Sequence, residues 1–89
     1  MRAVITVVGK DTVGIIAKVT ELLSKNKVNV MDISQSILQE MFVMVMLVDI
    51  SDASVQFGEL SKQLDALADS LGVKIHAMHE DIFTSMHTI

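Results

Sequence analysis

Apolar and polar positions along the chain follow two rhythms, and the switches between them mark six elements. Arg2–Val8 is β-branched and almost continuously apolar, as expected of a strand buried on most sides. From Gly14 to about Lys27 the period changes, because Ile15, Ile16, Val19, Leu22 and Leu23 recur at helical steps and form one apolar face. Lys27–Gln39 mixes apolar and polar residues in β-favouring company and reads as a second strand of unusual polarity. Met41–Ile50 follows almost at once, so the two predict a hairpin closed around Gln39–Glu40. That pair lacks the usual Asn-Gly or Asp-Gly, which leaves the turn type open. Ser51–Ser54 supplies candidate N-caps for a second helix, in which Phe57, Leu60, Leu64, Leu67 and Leu71 recur at steps of three and four. Gly72 is placed to end it in a left-handed conformation. Val73–His79 then alternates, with Val73, Ile75 and Ala77 inward and Lys74, His76 and Met78 outward.

Strand, helix, strand, strand, helix, strand is the order of an α+β, ferredoxin-like βαββαβ sandwich. Two right-handed crossovers place both helices on one face of a four-stranded antiparallel sheet. The first and third strands are the most apolar and belong at the centre; the second and fourth carry the polarity of edges. The third strand is apolar on both faces. If Phe42, Met44, Met46 and Val48 meet the helices, then Val43, Val45 and Leu47, joined by Val4 and Val8, form an aliphatic outer face that needs a cover. Candidates are a second sheet and the tail, residues 80–89, where Ile82, Phe83, Met86 and Ile89 recur at helical steps. A short helix there would fold under the sheet or dock on a neighbouring subunit; the plainer alternative is a frayed terminus. The domain proper is expected to span residues 1–79.

Composition narrows the function. Eighty-nine residues make one domain, and with 51% apolar residues, three phenylalanines as the only aromatics and seven methionines, its core must be aliphatic. The net charge of −4, with seven scattered Lys and Arg, argues against nucleic acid as a partner. The absence of cysteine removes disulfides and thiolate chemistry, and fits a reducing cytoplasm. No cleavage pattern follows the apolar N-terminus, and the run Met41–Val48 is far too short to span a bilayer. A soluble cytoplasmic protein without a membrane partner is expected.

Chemistry-bearing residues are few. His76 and His79, three apart on a strand, point to opposite faces. With Glu80, Asp81 and His87 they form a metal site only across an oligomer, and solvated edge histidines are the simpler reading. No nucleophile sits beside an oriented base, so no catalytic residue, metal or cofactor is assigned, and the protein is expected not to be an enzyme. The other candidate is the junction Gly9-Lys10-Asp11-Thr12-Val13-Gly14. Asp11 is placed to accept from the first free N–H groups of the helix, Gly9 to free φ at the strand exit, and Gly14 to let a backbone or ligand approach. Such a string is common, and a well-made turn explains it without a ligand.

Taken with the rest of the chain, Asp11-Thr12-Val13-Gly14-Ile15, a helix, and then Asn29-Val30-Met31-Asp32 resemble the ACT domain over roughly Ala3–Met78. The chain is most similar to the small stand-alone bacterial members and to single repeats of the glycine-cleavage-system transcriptional repressor. The resemblance implies an amino-acid-sensing regulatory module that pairs as a homodimer through its second strand and first helix, with a small-molecule ligand, an amino acid, at the seam. The site residues it implies are Gly9, Lys10, Asp11, Thr12, Val13 and Gly14 of one subunit facing Asn29, Val30, Met31 and Asp32 of the other. The family often has proline where Val13 stands and glycine near Gln39–Met41, which puts loop rigidity and hairpin geometry in question. At such a seam the N–H groups of Thr12 to Gly14 would hold the ligand carboxylate and Asp11 or Asp32 its ammonium, with Asn29 suiting either end. If Asp11 caps the helix it repels the carboxylate, so it contacts the ammonium or only orders the loop. The signal would pass through assembly or to a partner protein. The competing reading is a ligand-free interaction module using the same edge and apolar face.

Overall fold

The computed structural model describes residues 1–10 and 14–86. The elements run β1 (Arg2–Lys10), α1 (Ile15–Lys25), β2 (Asn29–Leu38), β3 (Met41–Asp49), α2 (Phe57–Leu71), β4 (Lys74–His79) and α3 (Glu80–Met86). The strands form one antiparallel sheet in the order β2-β3-β1-β4, the ferredoxin-like arrangement, with the two apolar strands inside and the two polar ones at the edges. Burial dictates that order: Ala3, Ile5 and Val7 of β1 and Met44, Met46 and Val48 of β3 are sealed from water. They pack under Ile15, Val19 and Leu23 of α1 and Leu60, Leu64 and Ala68 of α2. Ile5 lies opposite Met46 on one side and Ala77 on the other, so the helix-facing rows cross the sheet in register.

Three local features depart from the sequence-based expectation or complete it. The hairpin closes in two residues, with Gln39 at φ 50° and Glu40 at φ 71°. Two consecutive positive φ values mark a type I′ turn, here made without asparagine or glycine. The Ser51–Ser54 segment does not cap α2. The helix begins at Phe57 after an extended Gln56, without a side-chain cap, because Ser51 is engaged earlier: its N–H donates to Asp49 Oδ1 at 2.9 Å. Short polar side chains favour such local turns as readily as caps. Gly72 does end α2 as expected, at φ 70°.

The outer face divides into two halves. Arg2, Val4, Thr6 and Val8 alternate onto it from β1, beside Val43, Val45 and Leu47 of β3 and Lys74, His76 and Met78 of β4. Val4 is buried although it lies outside the core beneath α1 and α2. The cover is α3, which touches β1 and β4 but, among the described residues, neither α1 nor α2. Arg2 pins it, donating to Glu80 Oε1 at 2.9 Å. Glu80–Met86 thus folds back under its own sheet as a short helix. Toward the hairpin end, Thr6, Val8, Val43 and Val45 are only half-buried.

Candidate functional site

Of the loop residues implied as a site, Asp11, Thr12 and Val13, and with them the expected capping by Asp11, lie outside the described residues. The two flanking glycines are both required, but for reasons opposite to those expected. Gly9 needs no positive φ; it lies within β1, and a Cβ there would meet Val73 Cγ1 at 2.5 Å and Val73 Cβ at 2.9 Å. Gly14 has open space around it but takes φ 91° as the residue that starts α1, a conformation costly to any residue with a Cβ. Lys10 is exposed at the end of β1, opposite Met41.

The second half of the implied site begins β2. Asn29 pairs with Asp49 and Val30 with Val48, after which Asp32 pairs with Leu47, leaving Met31 as a bulge. The bulge breaks the alternation. Val30 faces the helices, whereas Asp32, two residues on, faces outward; without the extra residue they would share a side. Asn29, Met31 and Asp32 are exposed and Val30 is half-buried.

Within one chain the two halves do not meet. Lys10 is level with Met41 and Leu38, whereas Asn29 is level with Asp49 and Arg2. Eight residues of extended strand separate those levels, about 25 Å.

The edge between them is unusual. Among the described residues β2 pairs only with β3, leaving ten residues with an open edge. Ile33, at 40% exposure, and Ile37, at 66%, stand on the helix side of that edge and remain exposed. Between α1 and β2 runs a groove of about 510 Å³ lined by Thr20, Ser24, Lys27, Val28, Asn29, Val30 and Ile33. Thr20 Oγ1 donates to Ile16 O at 2.8 Å, so toward the groove its oxygen remains as an acceptor.

Sequence reasoning missed the groove residues Thr20, Ser24 and Lys27, and Asp49 opposite Asn29. The four-residue step from Thr20 to Ser24 was the available sign of a second, polar helix stripe. The Ser51 hydroxyl and then the Ser51 N–H hold the Asp49 carboxyl below its ordinary range, so an anion stands beside Asn29 near neutral pH. No group of three potential metal ligands occurs among the described residues, and no helix among them is long and apolar enough to cross a membrane.

The ACT-domain family model matches residues 2–78. The chain belongs to the ACT-domain family. ACT domains are regulatory modules that bind small ligands and dimerise. The chain is 47% identical over 88 residues to a UPF0237 protein of Methanocaldococcus jannaschii, covering 99% of this chain and 98% of that one. Among solved structures it is similar to an ACT domain protein from Streptococcus pneumoniae, with 38% identity, a TM-score of 0.82 and coverage of 100% and 97%. A structure described as a glycine cleavage system transcriptional repressor shares the fold at 24% identity and a TM-score of 0.75, covering 85% of this ACT domain and 43% of that chain.

Proposed function

We infer that this ACT domain is a non-catalytic regulatory module that binds an amino acid at the seam between two copies paired antiparallel along β2. The observation that carries the reading is the β2 edge itself. It is long and open and exposes Ile33 and Ile37, which soluble sheets avoid unless a partner completes the edge, and it links two half-sites that one chain holds apart. A two-fold axis beside β2 sets the Asn29 end of one strand next to the Leu38 end of the other. The Lys10 end of β1 then lies toward the partner's Asn29–Asp32, the arrangement that the family resemblance implies.

The chemistry of the described residues suits a zwitterion. Asp32 and Asp49 supply anions for an ammonium group, Asn29 hydrogen-bonds either end, and Lys10 adds a cation near the loop. A ligand shared by two subunits stabilises the pair by its affinity for that state alone, about 2.7 kcal/mol at 100 times its dissociation constant. Assembly is the output, read by a partner protein.

The test is thermal unfolding against each of the twenty amino acids, beside a mass measurement in solution. One or a few amino acids should raise the melting temperature of a dimer, and Asn29→Ala should remove the rise while leaving the unliganded melting temperature within about 2 °C. A dimer that responds to no amino acid would replace this reading with the ligand-free interaction module. A monomer at every concentration would remove both.

A further inference from the structure

We propose that the open half of the outer sheet face receives α3 of a second copy of this chain, so that two copies exchange helices across a two-fold axis lying across the strands. This contact is separate from the β2 seam and does not depend on it.

Shape is the first argument. α3 covers only the Arg2–Val4 end of the face, and a helix stands about 10 Å proud of the strands beneath it. Two such faces cannot close sheet on sheet at the usual separation of about 10 Å with α3 in between. The step can be matched in one way: each α3 sits beside the other and fills the vacant half of its partner's face. That half holds Val8, Val43 and Val45 and ends in a hollow of about 540 Å³ formed by Val8, Gly9, Met41, Gly72 and Val73 with three basic side chains. On the approaching side, Ile82 of α3 is 51% exposed, an unspent apolar side chain on a seven-residue helix.

Charge selects the axis. The basic groups of the hollow are Lys10, Lys74 and His76, and no acid is among its described lining residues. The first turn of α3 carries Glu80 and Asp81, of which Glu80 already holds Arg2 and Asp81 is exposed. A two-fold axis across the strands keeps β4 over β4 but inverts the levels, bringing the start of α3 over the basic hollow. An axis along the strands would instead carry α3 over the start of β2 and the end of β3, where Asp32 is exposed and Asp49 is already paired with the N-terminal ammonium at 3.6 Å. Acid against acid opposes that arrangement, and acid against base favours the first.

The experiment combines charge exchange with cross-linking. Lys74 and Asp81 are exposed, so reversing either should leave the fold intact by circular dichroism. Lys74→Glu and Asp81→Lys should each weaken association by about tenfold in sedimentation equilibrium, and the double variant should recover most of it. All measurements are repeated with Ile37→Lys, which disables the β2 seam alone. The chain has no cysteine, so Lys74→Cys with Asp81→Cys creates the only thiols. Within one chain the extended strand keeps them well beyond the roughly 7 Å Cα separation a disulfide tolerates. Disulfide-linked dimers forming under mild oxidation in the Ile37→Lys background support the proposal. Association unchanged by either reversal, or thiols that remain monomeric, overturns it and leaves the β2 seam standing.

Discussion

Gln39 and Glu40 show how far a single residue can sit from its preferred conformation when two strands demand it. The strands fix a two-residue connection, and their right-handed twist selects the mirror-image turn, so two residues with Cβ atoms take positive φ. Replacing Glu40 by glycine should therefore stabilise the protein by about 1 kcal/mol, a rise of about 4–8 °C in melting temperature for a domain of this size. Thermal unfolding of Glu40→Gly beside wild type measures it, and an unchanged or lower value would mean that the Glu40 side chain contributes in the folded state. The two loop glycines teach the complementary lesson. Both were visible in the sequence as special positions, yet which one needs its φ and which its missing Cβ depends on Val73, sixty-four residues away in the chain from Gly9. Local spacing carries no information about that contact.

At the scale of elements, periodicity announced the four strands and the first two helices, left α3 open between a short helix and a frayed end, and polarity announced the order of the sheet. What stayed illegible was where side chains leave those elements to tie others together. Asn26, buried at the end of α1, is the clearest case. Its side-chain Nδ2 donates to Leu22 O at 2.9 Å and to Gln63 Oε1 of α2 at 2.7 Å, while its backbone carbonyl oxygen accepts from Ser54 N–H at 2.8 Å. The side chain thus closes α1 and ties it to α2, while the backbone of the same residue holds the loop leading into α2. In sequence it is an unremarkable asparagine past the helix end. Asn26→Ala leaves Gln63 short of a partner and should cost about 1–3 kcal/mol in urea unfolding. Adding Gln63→Ala should cost much less than it does alone, because the interaction it removes is already gone. Fully additive losses would show that the two side chains act independently. The Met31 bulge escaped sequence reading for a related reason: a strand's alternation is broken by one extra residue that nothing in Val30-Met31-Asp32 marks, yet it decides which side of the sheet the Asp32 carboxylate serves.

On the scale of the whole molecule, the chain has two kinds of unfinished surface. β4 ends the sheet in six residues carrying Lys74 and His76, a short, charged edge of the kind that discourages pairing. β2 ends it in ten residues with exposed isoleucines and a bulge near one end. The same sheet therefore contains its own control. If β2 is the seam, its outward N–H groups donate to a second chain and should exchange with deuterium about tenfold or more slowly once the protein is concentrated enough to pair, whereas those on the free edge of β4 should not change. Alternate residues of β2 should respond and the intervening ones, already bonded to β3, should not. The pattern distinguishes edge pairing from contact through the outer face, which would bury side chains there without slowing either set of edge amides. Equal protection of β2 and β4 in a sample shown by mass to be dimeric would move the interface off the β2 edge. The Lys10 end of β1 would then no longer lie toward the partner's Asn29, and the proposed amino-acid site would lose its second wall.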